Sequence, residues 1–230
     1  MGYRVVIAGG TGQVGRAVVQ AFIADPSCTE LVMVNRRAGS AASNAKVREA
    51  VLDTSAPSLQ QDTAALVRET ASKGDTVVGA SCIGVGTGSM KWSEEDLKAL
   101  EVGVVGAFAR GCRDAGVTRF GLLSAVGSSS SSMFRYVRVM GLKEENIAAV
   151  GFERLAIFRP GIIGGIGHTP GAVAVLGRWI PGKFGTVEAD DIAGAFVTEL
   201  TDEKATGVTH LENGDLRASA RRRTQNPKGS

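Results

Sequence analysis

A chain of 230 residues, 43% hydrophobic and 21% charged, has material for one α/β core and too little for two independent ones. Three scattered cysteines without a C-x-x-C pair, and two distant histidines, His168 and His210, support neither a zinc site nor a disulfide framework. The net charge is +3, and five positive charges, Arg217, Arg221, Arg222, Arg223 and Lys228, follow the last acid, Asp215, so 216–230 reads as a flexible basic tail.

Val5-Val6-Ile7-Ala8 is too short for a buried helix and β-branched enough for a strand buried on both faces. Gly9, Gly12 and Gly15 follow at intervals of three, with Thr11, Gln13 and Val14 among them, and Ala17 to Ile23 then takes a helical period. In a strand, glycine turn and helix, the main chain can bring its N–H groups and the positive end of the helix dipole against a pyrophosphate. The same turn also closes strand-helix corners that bind nothing. Glu30 to Val34 reads as a second strand leading into Asn35, Arg36 and Arg37. An acid closing this strand would hold the ribose hydroxyls of NAD. None is present, and two guanidinium groups suit the 2′-phosphate of NADP, so NADP(H) is favoured over NAD(H).

Lys46 to Leu52 gives a third strand ending at Asp53, Gln60 to Lys73 a helix, and Thr76 to Ala80 a fourth strand. That strand leaves through Cys82-Ile83-Gly84 into a glycine-rich loop at the sheet edge where doubly wound folds bind ligands. Ser93 caps a long helix with Glu94, Glu95 and Asp96 in its first turn, and Gly116 stops it after Ala115. Thr118 to Leu123 is a fifth strand, followed by Ser124 and a run of serines, Ser128 to Ser132, that reads as a flexible loop. A helix from Met133 to about Val150 and a sixth strand, Arg154 to Phe158, lead to Arg159-Pro160-Gly161. Residues 164–185, rich in glycine and proline, read as a small irregular C-terminal lobe over the site. A helix opening at Asp190-Asp191 and a strand over Gly207 to Leu211 complete the chain. The alternation predicts one α/β domain over 1–215, a doubly wound, mostly parallel sheet of the Rossmann type. No apolar run approaches a membrane span, and the first strand lies almost at Met1. A soluble cytoplasmic protein is the default expectation, or an organellar matrix protein if a presequence was removed.

The chain resembles the atypical short-chain dehydrogenases/reductases, and among them the Tat-interacting-protein-like oxidoreductases. The matching residues are the turn Gly9 to Gly15, Arg36-Arg37, Cys82-Ile83-Gly84, Leu122-Leu123-Ser124, Tyr136, Phe158-Arg159-Pro160-Gly161 and Leu211-Glu212-Asn213. Their order covers nearly the whole chain up to about residue 215. The resemblance implies a serine that holds a carbonyl oxygen, a tyrosine that passes the proton, and a lysine four residues later that binds the nicotinamide ribose and lowers the tyrosine pKa. Ser124 and Tyr136 stand in the first two places, and Met140 stands where the lysine belongs. Asp53 reads equally as an adenine contact, as in relatives, or as a solvated loop acid.

Without that cation, a phenol of pKa about 10 is ionised roughly once in a thousand molecules at pH 7. Alcohol oxidation, which needs the phenolate, should suffer heavily, and carbonyl reduction, which needs the phenol, less. Lys143 lies about 10 Å along the helix from Tyr136 and Arg138 points to the opposite side, so neither is expected to substitute. Two readings follow. One is an NADP(H)-binding protein with little or no turnover, a structural or redox-responsive subunit whose basic tail reaches a protein partner. The other is a slow NADPH-dependent reductase of a small carbonyl substrate, using Tyr136 and Ser124. A nucleic-acid contact lacks an interleaved aromatic and basic surface to support it.

Overall fold

The computed structural model describes residues 2–39, 44–71, 74–85, 89, 91–164 and 182–225. Seven parallel strands form its sheet: β1 (Tyr3–Ala8), β2 (Cys28–Asn35), β3 (Val47–Val51), β4 (Thr76–Ser81), β5 (Arg119–Leu123), β6 (Arg154–Phe158) and β9 (Gly207–Leu211). Their spatial order is β3-β2-β1-β4-β5-β6-β9. The order reverses between β1 and β4, the switch point at which doubly wound sheets open a crevice. Two short strands, β7 (Ile162–Gly164) and β8 (Thr186–Glu188), pair separately.

Side-chain alternation in β1 builds both layers. Val5 and Ile7 join one core with α1 (Gln13–Ile23), α6 (Ala189–Thr201) and Leu216 of α7 (Asn213–Gln225). Val6 and Ala8 join the other with α2 (Leu59–Ala71), α4 (Val105–Asp114) and Ile147 of α5 (Arg135–Ala148). The period of two thus fills both faces of one strand, as a central parallel strand requires. Phe158 stacks on Phe196 with ring centroids 3.8 Å apart, fixing α6 against β6.

Three features differ from expectation. The helix capped by Ser93, whose Oγ accepts from the Asp96 N–H at 3.0 Å, is not uniform: α3 (Glu94–Lys98) passes through a π turn, Ala99–Val104, before α4. The serine run is docked rather than loose: the Ser129 N–H donates to the Val137 carbonyl at 3.2 Å. That close approach needs a bare helix face, because a Cβ on Gly141 would lie 2.1 Å from the Ser130 nitrogen. Most of the expected flexible tail is the helix α7. Leu216 and Ser219 are fully buried, Arg222 pairs with Glu199 at 2.7 Å, and Arg223 donates to the Ala21 carbonyl at 2.8 Å. Backbone and carboxylate acceptors thus dock this basic segment on the domain, although Arg221 and Arg222 remain exposed. Residues 165–181, most of the expected lobe, and 86–88 of the β4 exit loop lie outside the described residues, as do His168 and 226–230.

Candidate functional site

The register places the C-terminal ends of β2, β1 and β4 side by side, with Ala8 opposite Val34 and Ser81. Gly9 leaves β1 with φ +79°, and a Cβ there would lie 2.5 Å from the Cys82 carbonyl carbon and the Ile83 nitrogen. A Cβ on Gly15 would lie 2.1 Å from the Gly9 carbonyl oxygen. The chain's own packing therefore demands glycine at both positions. It does not demand glycine at 12, which is exposed, has φ −67° and ψ 167°, and finds only the Gly9 oxygen at 3.4 Å from an added Cβ. Gly12 also offers the first turn of α1 no side-chain cap, and that turn holds no acid. This open glycine at a positive helix end is what a closely approaching phosphate requires.

Beside the turn, Thr11, Asn35, Arg36 and Arg37 line a cavity of about 220 Å³. Arg36 and Arg37 are exposed, and Arg16 stands close by, its Nε donating to the Thr11 carbonyl at 3.0 Å. The shape of this loop depends on a residue that sequence reasoning passed over. Glu49 of β3 accepts from the Asn35 side-chain amide at 2.6 Å and from the Gly39 N–H at 2.7 Å. Asp53 is exposed and accepts from the N–H (2.9 Å) and hydroxyl (2.6 Å) of Ser55, bonds that hold its carboxyl below the usual carboxylate range.

The catalytic candidates occupy the next stretch of the same edge. Ser124 follows β5, is buried, and donates its hydroxyl proton to Glu144. Glu144 is itself buried and held by the Arg159 guanidinium, Nε to Oε1 at 2.9 Å. Tyr136 lies in the first turn of α5, and Met140 lies one turn on, 2% exposed. Burial and the negative charge of Glu101 push the Tyr136 phenol up to about 12. Glu101 sits in the π turn and is fully buried against Lys143, with Nζ to Oε2 at 2.8 Å. Lys143 thus enters the site region, paired with an acid. Arg138 pairs with Glu94 at 2.6 Å.

Cys82 and Ile83 run directly against the glycine turn, with the Cys82 N–H donating to the Ala8 carbonyl at 2.8 Å, and Gly84 is exposed beyond them. Burial pushes the Cys82 thiol up to about 12, so it is no thiolate nucleophile at neutral pH. Pro160 and Gly161 serve the chain itself: the Pro160 carbonyl accepts from the Val126 N–H at 3.0 Å, and the Gly161 N–H donates to the Asn213 side chain at 2.9 Å. No group of metal-ligating side chains occurs among the described residues.

The phenol shift is open to a direct check, because the chain has two tyrosines and burial pushes Tyr3 higher still. The ultraviolet tyrosinate band of the native protein should first rise near pH 12, and that step should vanish in Tyr136→Phe. A native step near pH 10, where the unfolded chain ionises, would contradict the packing described. Since the folded pKa is the higher one, the associated stability is present below about pH 10 and lost as pH rises toward 12.

No family model matches the chain. It is 32% identical over 186 residues to the mitochondrial protein Fmp52 of Emericella nidulans, covering 80% of this chain and 77% of that protein. It is 30% identical over 202 residues to the mitochondrial protein Fmp52-1 of Aspergillus oryzae, covering 83% of each. Among solved structures, the oxidoreductase ylbE from Lactococcus lactis superposes with a TM-score of 0.66 at 14% identity over 99% of both chains. The Bordetella bronchiseptica enzyme WbmG, in complex with NAD, gives 0.62 at 14% identity over 91% of this chain and 72% of its own. The UDP-Glc/GlcNAc 4-epimerase from Campylobacter jejuni gives 0.66 at 17% identity, over 100% of this chain and 85% of its own. At such identities the likeness to these enzymes is one of fold.

Proposed function

The chain belongs to the Fmp52 family, and from that premise we propose that it binds NADP(H) at the glycine turn with little or no turnover, as a structural or redox-responsive subunit. The observation that carries this reading is the direction of the Ser124 hydroxyl. A serine has one proton to give, and here it goes to Glu144, a carboxylate fixed in turn by Arg159. The group that would hold a substrate carbonyl oxygen is therefore committed elsewhere. Met140 brings no charge to the Tyr136 phenol, which stays protonated, so alcohol oxidation lacks its base.

The residues fit the cofactor. Gly12 and the first turn of α1 would receive the pyrophosphate, Arg36 and Arg37 the 2′-phosphate, and Cys82, Ile83, Gly84, Pro160 and Gly161 would border the nicotinamide half. A bound nicotinamide would supply the hydride. Tyr136 retains a proton at neutral pH, and that favours the second reading, slow reduction of a small carbonyl compound with Tyr136 as acid. Kinship with the Tat-interacting-protein-like branch belongs to this proposal, as does a mitochondrial location. The relatives bear that word in their names, which weighs against the cytoplasmic default. No helix among the described residues is long and apolar enough to cross a membrane.

The test is titration with NADPH and NADH by nicotinamide fluorescence, for the native chain and for Arg36→Ala/Arg37→Ala. Two charge-assisted contacts at roughly 1.5 kcal/mol or more each predict an NADPH affinity lowered by at least about a hundredfold, with NADH little changed. Equal loss for both nucleotides would remove the 2′-phosphate assignment. Binding of neither by the native chain would overturn the cofactor reading.

A further inference from the structure

We propose that Glu101 and Lys143 are a positioning pair that fixes the loop leaving β4 against the glycine turn, and so sets dinucleotide affinity without touching the reacting atoms. This rests on the dinucleotide reading above. Both side chains are wholly buried, and each has a second bond to the backbone of the same loop. Lys143 Nζ donates to the Ile83 carbonyl at 3.2 Å, and Glu101 Oε1 accepts from the Val85 N–H at 3.2 Å. The carboxylate comes from the π turn and the ammonium from α5, so three separate elements meet at one ion pair.

On the opposite side the loop has no slack. The position of a Gly9 Cβ lies 2.5 Å from the Cys82 carbonyl carbon and the Ile83 nitrogen. Segment 82–85 is thus tied to the pair at Ile83 and Val85 and pressed on the glycine turn at Cys82 and Ile83. A shift of the tied atoms is transmitted to the turn that would receive the pyrophosphate. Net stability is a weak reason for a buried pair, since apolar side chains of similar volume often serve as well. Apolar side chains could not bind an N–H and a carbonyl of the loop at the same time. Two single charges are kept where two methyl-rich side chains would fill the space, and what they add is loop geometry.

The pair also bears on Tyr136. Lys143, three residues beyond Met140, is committed to Glu101, whose negative charge raises the phenol pKa. A purely structural pair would leave cofactor affinity unmoved once stability is restored.

The experiment compares the full chain with Glu101→Gln, Lys143→Met and the apolar double variant Glu101→Leu/Lys143→Met. It follows NADPH affinity, thermal midpoint, Val85 amide hydrogen exchange and tyrosinate absorbance. The double variant guards against misfolding, because it leaves no buried charge unpaired. It is expected to keep a midpoint near that of the native chain, to exchange the Val85 amide faster, and to bind NADPH at least about tenfold more weakly through lost preorganisation. Glu101→Gln should bring the Tyr136 step to lower pH. Unchanged NADPH affinity in a folded double variant, or unchanged Val85 exchange, would overturn the proposal. If the native chain binds neither NADPH nor NADH, the cofactor reading fails by itself. The clamp is then decided by Val85 exchange alone.

Discussion

Lysine at Met140 is expected to pull the Tyr136 phenol down from about 12 and to raise NADPH-dependent reduction of activated carbonyl compounds by at least about a hundredfold. The position is one helical turn from Tyr136, so an ammonium there would lie beside the phenol, and an opposite charge within a few ångströms shifts an acid by about one to three units. Met140 is 2% exposed, so the new charge is costly unless it reaches a polar partner. Pairing with the phenolate or with a bound ribose hydroxyl would supply one. Stopped-flow NADPH oxidation and the tyrosinate titration read the two effects separately. A phenol that moves down while turnover does not rise would point to Ser124, whose proton Glu144 holds. Adding Glu144→Ala should then release that proton and restore a carbonyl donor. If the phenol does not move, Met140 does not stand at the lysine position that the family resemblance implies.

The parts of this site that were legible in the sequence were those set by local rules. Alternation in β1 and the spacing of Gly9, Gly12 and Gly15 fix a strand, a turn and a helix from their own residues, and the two arginines after β2 need only the strand end to be placed. The parts that stayed hidden depend on partners distant in sequence. Ser124 and Glu144 are 20 residues apart, and nothing near either one announces the bond. A signal was available, because Tyr136, Met140 and Glu144 recur at intervals of four and share one stripe of α5. An acid on the stripe of the candidate tyrosine is that signal. The π turn, from which Glu101 reaches Lys143, has no comparable signature. In α7 the fully buried residues are Asn213, Leu216 and Ser219, one of them apolar, while Arg223 and Arg222 find acceptors at Ala21 and Glu199, so composition pointed to solvent. Glu49 was invisible for the same reason: its partners, Asn35 and Gly39, belong to a neighbouring strand end.

Alanine at Gly12 and alanine at Gly15 are expected to fail in opposite ways, and the contrast separates ligand demands from chain demands at the same turn. At Gly15 the new Cβ would lie 2.1 Å from the Gly9 oxygen and 3.0 Å from the Gly10 Cα, all backbone that cannot swing aside. Helix α1 must move off the turn, at a cost on the order of 3 kcal/mol, and calorimetry should show a midpoint lowered by several degrees. At Gly12 the backbone is already extended and the nearest atom is 3.4 Å away, so the chain accepts the methyl group and the midpoint should move by no more than a degree or two. The outward Cβ would stand where a phosphate has to approach, so NADPH and NADH affinity should both fall by about a hundredfold or more. Undiminished binding by a stable Gly12→Ala chain would show that no phosphate comes close to this turn. The glycine spacing would then be a matter of packing alone. A Gly15→Ala chain as stable as the native one would show instead that α1 can slide along β1, so that the close approach of Gly15 to Gly9 sets no limit on the turn.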